Sequence, residues 1–193
     1  MKKYILIFGS LVLIVAAVIF GSKKVNNINL SPAEFITDLT GAEIIMKIMS
    51  PAFGNAAKIP QKYTCDGADV LPPLQISGVP SAAKSLAIIM DDPDSPSGTW
   101  LHWSVWNIGP GPREISEGKI PSGAIEGKTS FDSVGYGGPC PGRGEHRYFF
   151  RLYALDTMLD LPSGANRGEL EAATQGHILD QAEFYGLYKR AER

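Results

Sequence analysis

Three acidic residues stand close together in the middle of the chain, directly after an apolar run. The run covers residues 85–90, and Asp91, Asp92 and Asp94 follow it. A continuous apolar run of this length predicts a buried strand, so the carboxylates are expected at a strand end, where binding sites are commonly built. Because Asp and Pro are also favoured turn formers, the stretch Asp-Pro-Asp-Ser-Pro is equally well explained as a turn.

Two histidines lie on other predicted strands. His102 lies in the segment 101–108, and His146 opens the segment 146–155. Alternate residues of a strand share a face, which predicts two sets of neighbours: His146, Tyr148 and Phe150, and His102, Ser104 and Trp106. A lone histidine on a strand is more often a satisfied core residue than a ligand-binding one, so the spacing alone leaves both interpretations open.

A glycine-rich loop precedes His146. Residues 137–139 read Gly-Gly-Pro, and glycines let backbone N–H groups approach an oxyanion closely. Imidazole and phenol groups also donate hydrogen bonds. A pocket floored by two histidines and walled by this loop would therefore suit a small anion.

Length and composition point to one globular domain. The chain has 193 residues, 44% of them hydrophobic and 20% charged, with a net charge of -2. These are ordinary values for a single folded domain. The body contains no basic stripe, so nucleic acid is excluded as the expected partner.

The first 24 residues have a different character. An uncharged run of 17 residues, Tyr4 to Phe20, lies between Lys2-Lys3 and Lys23-Lys24. We expect an N-terminal membrane anchor or signal segment over 1–24, a linker over 25–42 and a domain over 43–193. An uncleaved membrane helix is the preferred interpretation because no good small-x-small cleavage site follows the run. The domain is then expected to be anchored and extracytoplasmic, or secreted or periplasmic if the segment is a cleaved signal.

The remaining pattern predicts a mainly β domain. Apolar strands over 43–53, 85–90, 101–108 and 146–155 alternate with turn-rich segments, which is typical of an antiparallel sandwich. One helix is predicted at the C-terminus, where Asn166 and Glu169 resemble a capping box. Helical spacing then connects Leu170, Ala173, His177, Ile178, Ala182 and Tyr185.

Several separate motifs resemble one known family. Asp91-Asp-Pro-Asp-Ser-Pro96, Trp100-Leu-His-Trp103 and Gly144-Glu-His-Arg-Tyr148 are similar to motifs of the phosphatidylethanolamine-binding protein family, in its bacterial Raf kinase inhibitor-like branch. The similarity covers residues 50–190 in order. It implies a β-sandwich core with peripheral helices, one of them C-terminal.

The resemblance also implies a function and a site. The expected function is that of a non-enzymatic binding protein with a small pocket for phosphate-like anions or phospholipid headgroups, without a cofactor, a metal or catalytic residues. The ligand-binding residues implied are Asp92, Asp94, His102, Gly138, Pro139, His146 and Tyr148. The chain departs from the family pattern at Ser95, where alanine is usual, and at Gly142, where proline is usual.

Three alternatives are weaker. A metal site built from Asp92, His102, His146 and His177 matches no compact zinc spacing. A hydrolase lacks a G-x-S-x-G elbow, although Cys140 near His146 is a candidate nucleophile. The alternative retained beside the binding protein is a regulatory protein that acts by binding a kinase or protease partner.

The chain has two cysteines, Cys65 and Cys140, and both lie in motif loops near the expected pocket. Two interpretations stay open: a disulfide, which an oxidising compartment would favour, and a pair of buried free thiols.

Overall fold

The computed structural model describes residues 45–111 and 113–191, and within them nine strands, one α-helix and one 3-10 turn. The turn is Gln61–Tyr63 and the helix, α1, is Arg167–Thr174. The strands are β1 Lys47–Met49, β2 Ala57–Lys58, β3 Leu74–Ser77, β4 Ser85–Asp92, β5 Trp100–Ile108, β6 Arg113–Ile115, β7 Ile125–Glu126, β8 Glu145–Leu155 and β9 Ile178–Lys189. The mainly β fold predicted from the sequence is confirmed.

The strands form two sheets that share one hydrophobic core. The larger sheet has the order β2-β9-β8-β4-β5-β7, and the smaller has the order β1-β3-β6. Neighbouring strands are antiparallel except β2, which pairs parallel to β9. Residues of both sheets pack in one buried cluster, so the smaller sheet covers one face of the larger. We call this the inner face.

β4 lies at the centre of the large sheet, between β8 and β5, and all eight of its residues are buried. Leu86, Ile88 and Met90 join the inner cluster, whereas Ala87 and Ile89 join a second cluster under α1. Because both faces are covered, the strand is apolar at successive positions rather than at alternate ones. This explains the uninterrupted run in the sequence.

The C-terminal helix is present but ends earlier than the sequence spacing predicted. Asn166 and Glu169 form the predicted capping box. The continuation of the helix to Tyr185 is wrong, because the chain passes through Gly176 at φ +83° and then enters β9. β9 pairs with β8 over its whole length, and this ladder of backbone hydrogen bonds outweighs a local helical pattern.

The prediction of a membrane-anchored, extracytoplasmic protein needs correction. Among residues 45–111 and 113–191, no helix has the length and hydropathy needed to cross a bilayer. The segment 1–24 and the linker 25–42, on which that prediction depended, lie outside the described residues. The membrane, signal and localisation predictions therefore have no structural support, and we do not retain them.

The structure joins Cys65 and Cys140 in a disulfide, with Cα atoms 5.4 Å apart. The bridge ties the loop after the 3-10 turn to the loop that precedes β8. Cys140 is exposed and Cys65 is half-buried, so the pair is not the buried dithiol that the sequence left open.

Removing this bridge should cost stability, because the cross-link spans 75 residues. On the chain-entropy model such a loop contributes about 4 kcal/mol. We expect the double variant Cys65→Ser, Cys140→Ser to unfold at lower urea concentration than the oxidised wild type. Dithiothreitol should shift the wild type toward the variant and leave the variant unchanged. Equal urea midpoints for oxidised wild type and variant would contradict the assignment.

Candidate ligand-binding site

The candidate site forms where three strands of the large sheet reach the same edge. β4 ends there, and its antiparallel neighbours β5 and β8 begin there, with Asp92 opposite Trp100 and Asp91 opposite Phe149. A pocket of about 180 Å³ opens at this edge. Its lining residues are Asp92, Ser95, Pro96, Trp100, His102, Phe131, Cys140, Pro141, Gly142 and His146.

A β-bulge brings His102 into the pocket. Met90 pairs with Trp103 and Asp91 pairs with Leu101, so His102 is the extra residue on β5. Its ring contacts Tyr148, which belongs to the inner face, at a centroid distance of 5.1 Å. Bulges redirect side chains in this way. The simple alternation that placed His102 with Ser104 and Trp106 is therefore wrong, since Trp106 packs in the cluster under α1.

The environment of His102 defines its hydrogen bonding. Nδ1 lies 2.7 Å from the carbonyl oxygen of Gly137, so this nitrogen carries the proton and donates. Burial lowers the pKa of His102 below its ordinary value of 6.5, although the Gly137 carbonyl and the Asp92 carboxylate oppose that shift. The neutral ring then keeps its lone pair on Nε2. His102 thus offers the pocket an acceptor at neutral pH, and a donor only once protonated.

His146 is held by acceptors on both sides. Nδ1 lies 2.7 Å from Asp92 Oδ2, and Nε2 lies 3.1 Å from the carbonyl oxygen of Arg143. Only the imidazolium form, with two N–H groups, donates to both acceptors at once. In that form the positive charge of His146 balances the negative charge of Asp92 at the pocket wall.

Tyr148 lies beneath the two imidazoles and does not line the pocket. Its ring stacks on His146 at 6.5 Å and meets His102 edge-on. The side chain is fully buried, and its hydroxyl makes no hydrogen bond of ordinary geometry with any described residue. Burial, and next the Asp92 carboxylate, raise the pKa of Tyr148 well above its usual range. The phenol therefore stays neutral. Tyr148 was predicted to contact the ligand, but the structure places it behind the pocket lining.

Asp94 also lies away from the pocket, contrary to the sequence prediction. Arg147 Nη2 donates to Oδ1 over 2.7 Å, and Arg147 Nε donates to Oδ2 over 2.9 Å. The backbone N–H of Asp94 donates to Asp92 Oδ1 over 2.8 Å. Asp94 therefore shapes the turn after β4 and neutralises Arg147, and its neighbour Asp92 alone supplies the pocket carboxylate.

The predicted rim residues Gly138 and Pro139 are buried behind the pocket wall. Gly138 N–H donates to Asp69 Oδ1 over 2.7 Å, and the Pro139 carbonyl accepts from Cys65 N–H over 3.2 Å. A Cβ on Gly138 would lie 2.6 Å from the carbonyl oxygen of Tyr63. The glycine is thus required for close backbone packing rather than for ligand contact. The rim is formed instead by the next three residues, Cys140, Pro141 and Gly142.

Sequence reasoning missed most of the apolar lining. Some of these residues lie inside the recognised motifs, namely Ser95, Pro96, Trp100 and the rim residues. The motifs indicated the region of the pocket but not which of these side chains line it. Phe131 had no signal, because it lies outside the motifs, in the loop segment that precedes Gly137-Gly138-Pro139.

The described residues 45–111 and 113–191 contain no cluster of three or more His, Cys, Asp or Glu side chains arranged to hold a metal ion. The candidate nucleophile Cys140 has its sulfur in the disulfide.

A larger depression of about 640 Å³ lies elsewhere, around the end of β9. Two of its charged groups are paired, with Arg190 Nη2 2.6 Å from Asp66 Oδ1. None of the predicted site residues lines it, so the smaller pocket is the stronger candidate.

The family model described as phosphatidylethanolamine-binding protein matches residues 49–189. The chain belongs to the phosphatidylethanolamine-binding protein family. A UPF0098 protein of Methanothermobacter thermautotrophicus is 48% identical over 150 residues, which are 75% of this chain and 99% of that protein. A UPF0098 protein of Pyrococcus abyssi is 50% identical over 78% of this chain and 88% of that protein.

Two crystal structures of family members are similar to this fold. A phosphatidylethanolamine-binding protein homologue from Chlamydia trachomatis has a TM-score of 0.73 and 39% identity, covering 76% of this chain and 99% of its own. YbcL of Escherichia coli has a TM-score of 0.71 and 27% identity, with the same coverage. The family prediction made from the motifs, in its bacterial branch, is confirmed.

Gly138 and Gly142 provide a matched test of the packing of the loop 136–142, which we call the wall loop. A Cβ on Gly138 would lie 2.4 Å from Asp69 Oδ1, whereas a Cβ on Gly142 would meet nothing within 4 Å. We expect Gly138→Ala to lower the free energy of unfolding by about 1–3 kcal/mol through overpacking. Gly142→Ala should change it by less than about 0.5 kcal/mol. Urea denaturation of both variants measures this, and similar losses at the two positions would contradict the geometry.

The pair of Asp94 and Arg147 should stabilise the fold in a pH-dependent way. Hydrogen bonds from Arg147 lower the pKa of Asp94 from 3.8 to about 2. The stabilisation is therefore complete above pH 3.8 and is lost as the pH falls toward 2. Because Arg147 is half-exposed, we expect Asp94→Asn to cost only about 1 kcal/mol at pH 7. Chemical denaturation at pH 7 and pH 2 should show that difference shrinking, and a constant difference would contradict it.

Proposed function

We propose that this family member is a non-enzymatic binding protein whose pocket takes a small phosphate-like anion, such as a phospholipid headgroup. The observation that carries the proposal is the convergence of His102 and His146 on one pocket of about 180 Å³. The two imidazoles come from different strands. Among the described residues, neither ring belongs to a cluster of His, Cys, Asp or Glu side chains that could hold a metal ion.

The charges at the pocket support an anion over a cation when His102 is protonated. Asp92 Oδ2 lies 2.7 Å from His146 Nδ1, so the pocket carboxylate already has a hydrogen-bond partner. Protonation of His102 then adds one positive charge with an N–H on Nε2. Apolar walls exclude water and strengthen this interaction.

Two observations support a binding role rather than hydrolysis. Within the described parts of the chain, no serine or threonine hydroxyl bonds to the pocket imidazole of His102, whose Nδ1 is committed to Gly137. The Asp92–His146 pair resembles an orienting carboxylate and base, but His146 Nε2 faces the Arg143 carbonyl rather than a nucleophile. The alternative of a kinase or protease partner rests on the resemblance alone, and we do not propose it.

The proposal predicts how affinity depends on pH. Burial lowers the pKa of His102, so the ring gains its positive charge only below its ordinary value of 6.5. We expect sulfate, whose charge does not change between pH 5 and 8, to bind about tenfold more tightly at pH 5 than at pH 8. That corresponds to about 1.4 kcal/mol, a modest part of a close charge–charge interaction. Isothermal titration calorimetry across this range measures it.

The matched control is His102→Asn, whose amide N–H can still donate to the Gly137 carbonyl but does not titrate. This variant should bind sulfate with an affinity that changes less than about twofold over the same pH range. A thermal melt checks that it is folded. Sulfate binding that is absent at every pH would sink the proposed anion pocket. Equal pH dependence in wild type and variant would remove His102 from it.

A further inference from the structure

Phe131 is an exposed aromatic residue at the mouth of the pocket. It keeps 43% of its surface accessible although it lines the pocket. Its ring centroid lies 5.2 Å from that of His102 and 5.5 Å from that of Trp100, with interplanar angles of 75° and 74°. The ring therefore touches one polar and one apolar lining residue and leaves the rest of its surface uncovered.

The neighbouring residue Ser130 fixes the position of Phe131. Ser130 N–H donates to the Leu101 carbonyl over 3.0 Å, and Ser130 Oγ accepts from Leu101 N–H over 2.9 Å. These two hydrogen bonds attach the loop to β5 at the residue directly before His102. Phe131 thus has a set distance from His102 even though solvent reaches its ring.

The loop that carries Phe131 is closed on itself. Thr129 N–H donates to the Ser133 carbonyl over 2.8 Å, and Lys128 pairs with Asp132. On the far side, a Cβ on Gly137 would lie 2.8 Å from the Phe131 ring. The aromatic ring therefore lies directly against the wall-loop backbone, and its exposure does not come from a loose loop.

The pocket lining combines two kinds of side chain. Asp92, His102 and His146 are polar, and Pro96, Trp100, Phe131 and Pro141 are apolar. Its volume of about 180 Å³ equals about six waters at ~30 Å³ each in the liquid. An anion of five non-hydrogen atoms bound at the imidazoles leaves room on the aromatic side. Inorganic phosphate has no apolar group that could pack against Trp100 and Phe131 there.

We propose that Phe131 is a specificity-determining residue that selects a phosphate monoester carrying a planar, apolar organic group over a bare or methylated phosphate. This inference rests on the proposed anion pocket and names its ligand class. The phosphate lies at the imidazoles, and the organic group packs on Phe131 and Trp100. Aromatic pairs contribute beyond simple area burial, so the pocket gains affinity from the part of the ligand that carries no charge.

The test compares two ligands of equal charge, phenyl phosphate and methyl phosphate, by calorimetry at one pH. We expect wild type to bind phenyl phosphate about tenfold more tightly, and Phe131→Ala to reduce that ratio to about twofold or less. Methyl phosphate should bind wild type and Phe131→Ala within about twofold of each other. Val134→Ala is the matched control, because Val134 is exposed on the same loop but does not line the pocket, and it should keep the tenfold ratio.

Phe131→Leu distinguishes aromatic contact from mere apolar bulk and should give a ratio between those of wild type and Phe131→Ala. Three results would overturn the inference. Equal affinity of wild type for the two esters overturns it while the anion pocket stands. Equal losses for both esters in Phe131→Ala mean that the ring only supports His102. Failure of wild type to bind either ester overturns the proposed function, and this inference with it.

Discussion

The acidic end of β4 is the constraint on which the rest of the site depends. A strand buried on both faces carries its only charges at its end, where Asp91 is 1% exposed and Asp92 is 3% exposed. A buried carboxylate without a partner costs several kcal/mol, so the surrounding elements must supply cations or hydrogen-bond donors. The side chains that pair with Asp91, Asp92 and Asp94 come from β8 and α1: Arg151 and Arg167 for Asp91, His146 for Asp92, and Arg147 for Asp94. These side-chain pairs hold β8 and α1 against β4, and the pair of Asp92 and His146 lies at the pocket.

This compensation separates the roles of the two pocket histidines. His146 is committed to Asp92 on one side and to the Arg143 carbonyl on the other, so its orientation is set before any ligand arrives. His102 has one nitrogen committed to the Gly137 carbonyl, and its ring lines the pocket. The fold therefore holds His146 in one orientation, between Asp92 and the Arg143 carbonyl, and brings His102 to the same pocket from a different strand.

The wall loop 136–142 is positioned by a segment distant in sequence. The disulfide, the hydrogen bond from Tyr136 OH to the Tyr63 carbonyl at 2.8 Å and the contact of Gly138 with Asp69 attach it to residues 63–69. On its other side, Gly137 exchanges hydrogen bonds with His102 through both its N–H and its carbonyl. The loop therefore connects residues 63–69 with His102. Gly138 is needed because the loop approaches the backbone of Tyr63 and Thr64 more closely than a Cβ permits.

The amino-acid sequence by itself determined the β-rich domain, the buried strand at 85–90, the helix cap at Asn166 and the family, because these depend on local composition, capping chemistry and ordered motifs. It also identified Asp92, His102 and His146. Only the tertiary structure decided which neighbours reach the pocket. Strand alternation could not anticipate the bulge at His102, since bulges depend on pairing with β4. Helical spacing could not exclude a helix over 178–185, since the competing ladder with β8 is non-local. Phe131, Asp94 and Gly138 obtained their places from contacts between distant segments, which no periodicity within one segment encodes.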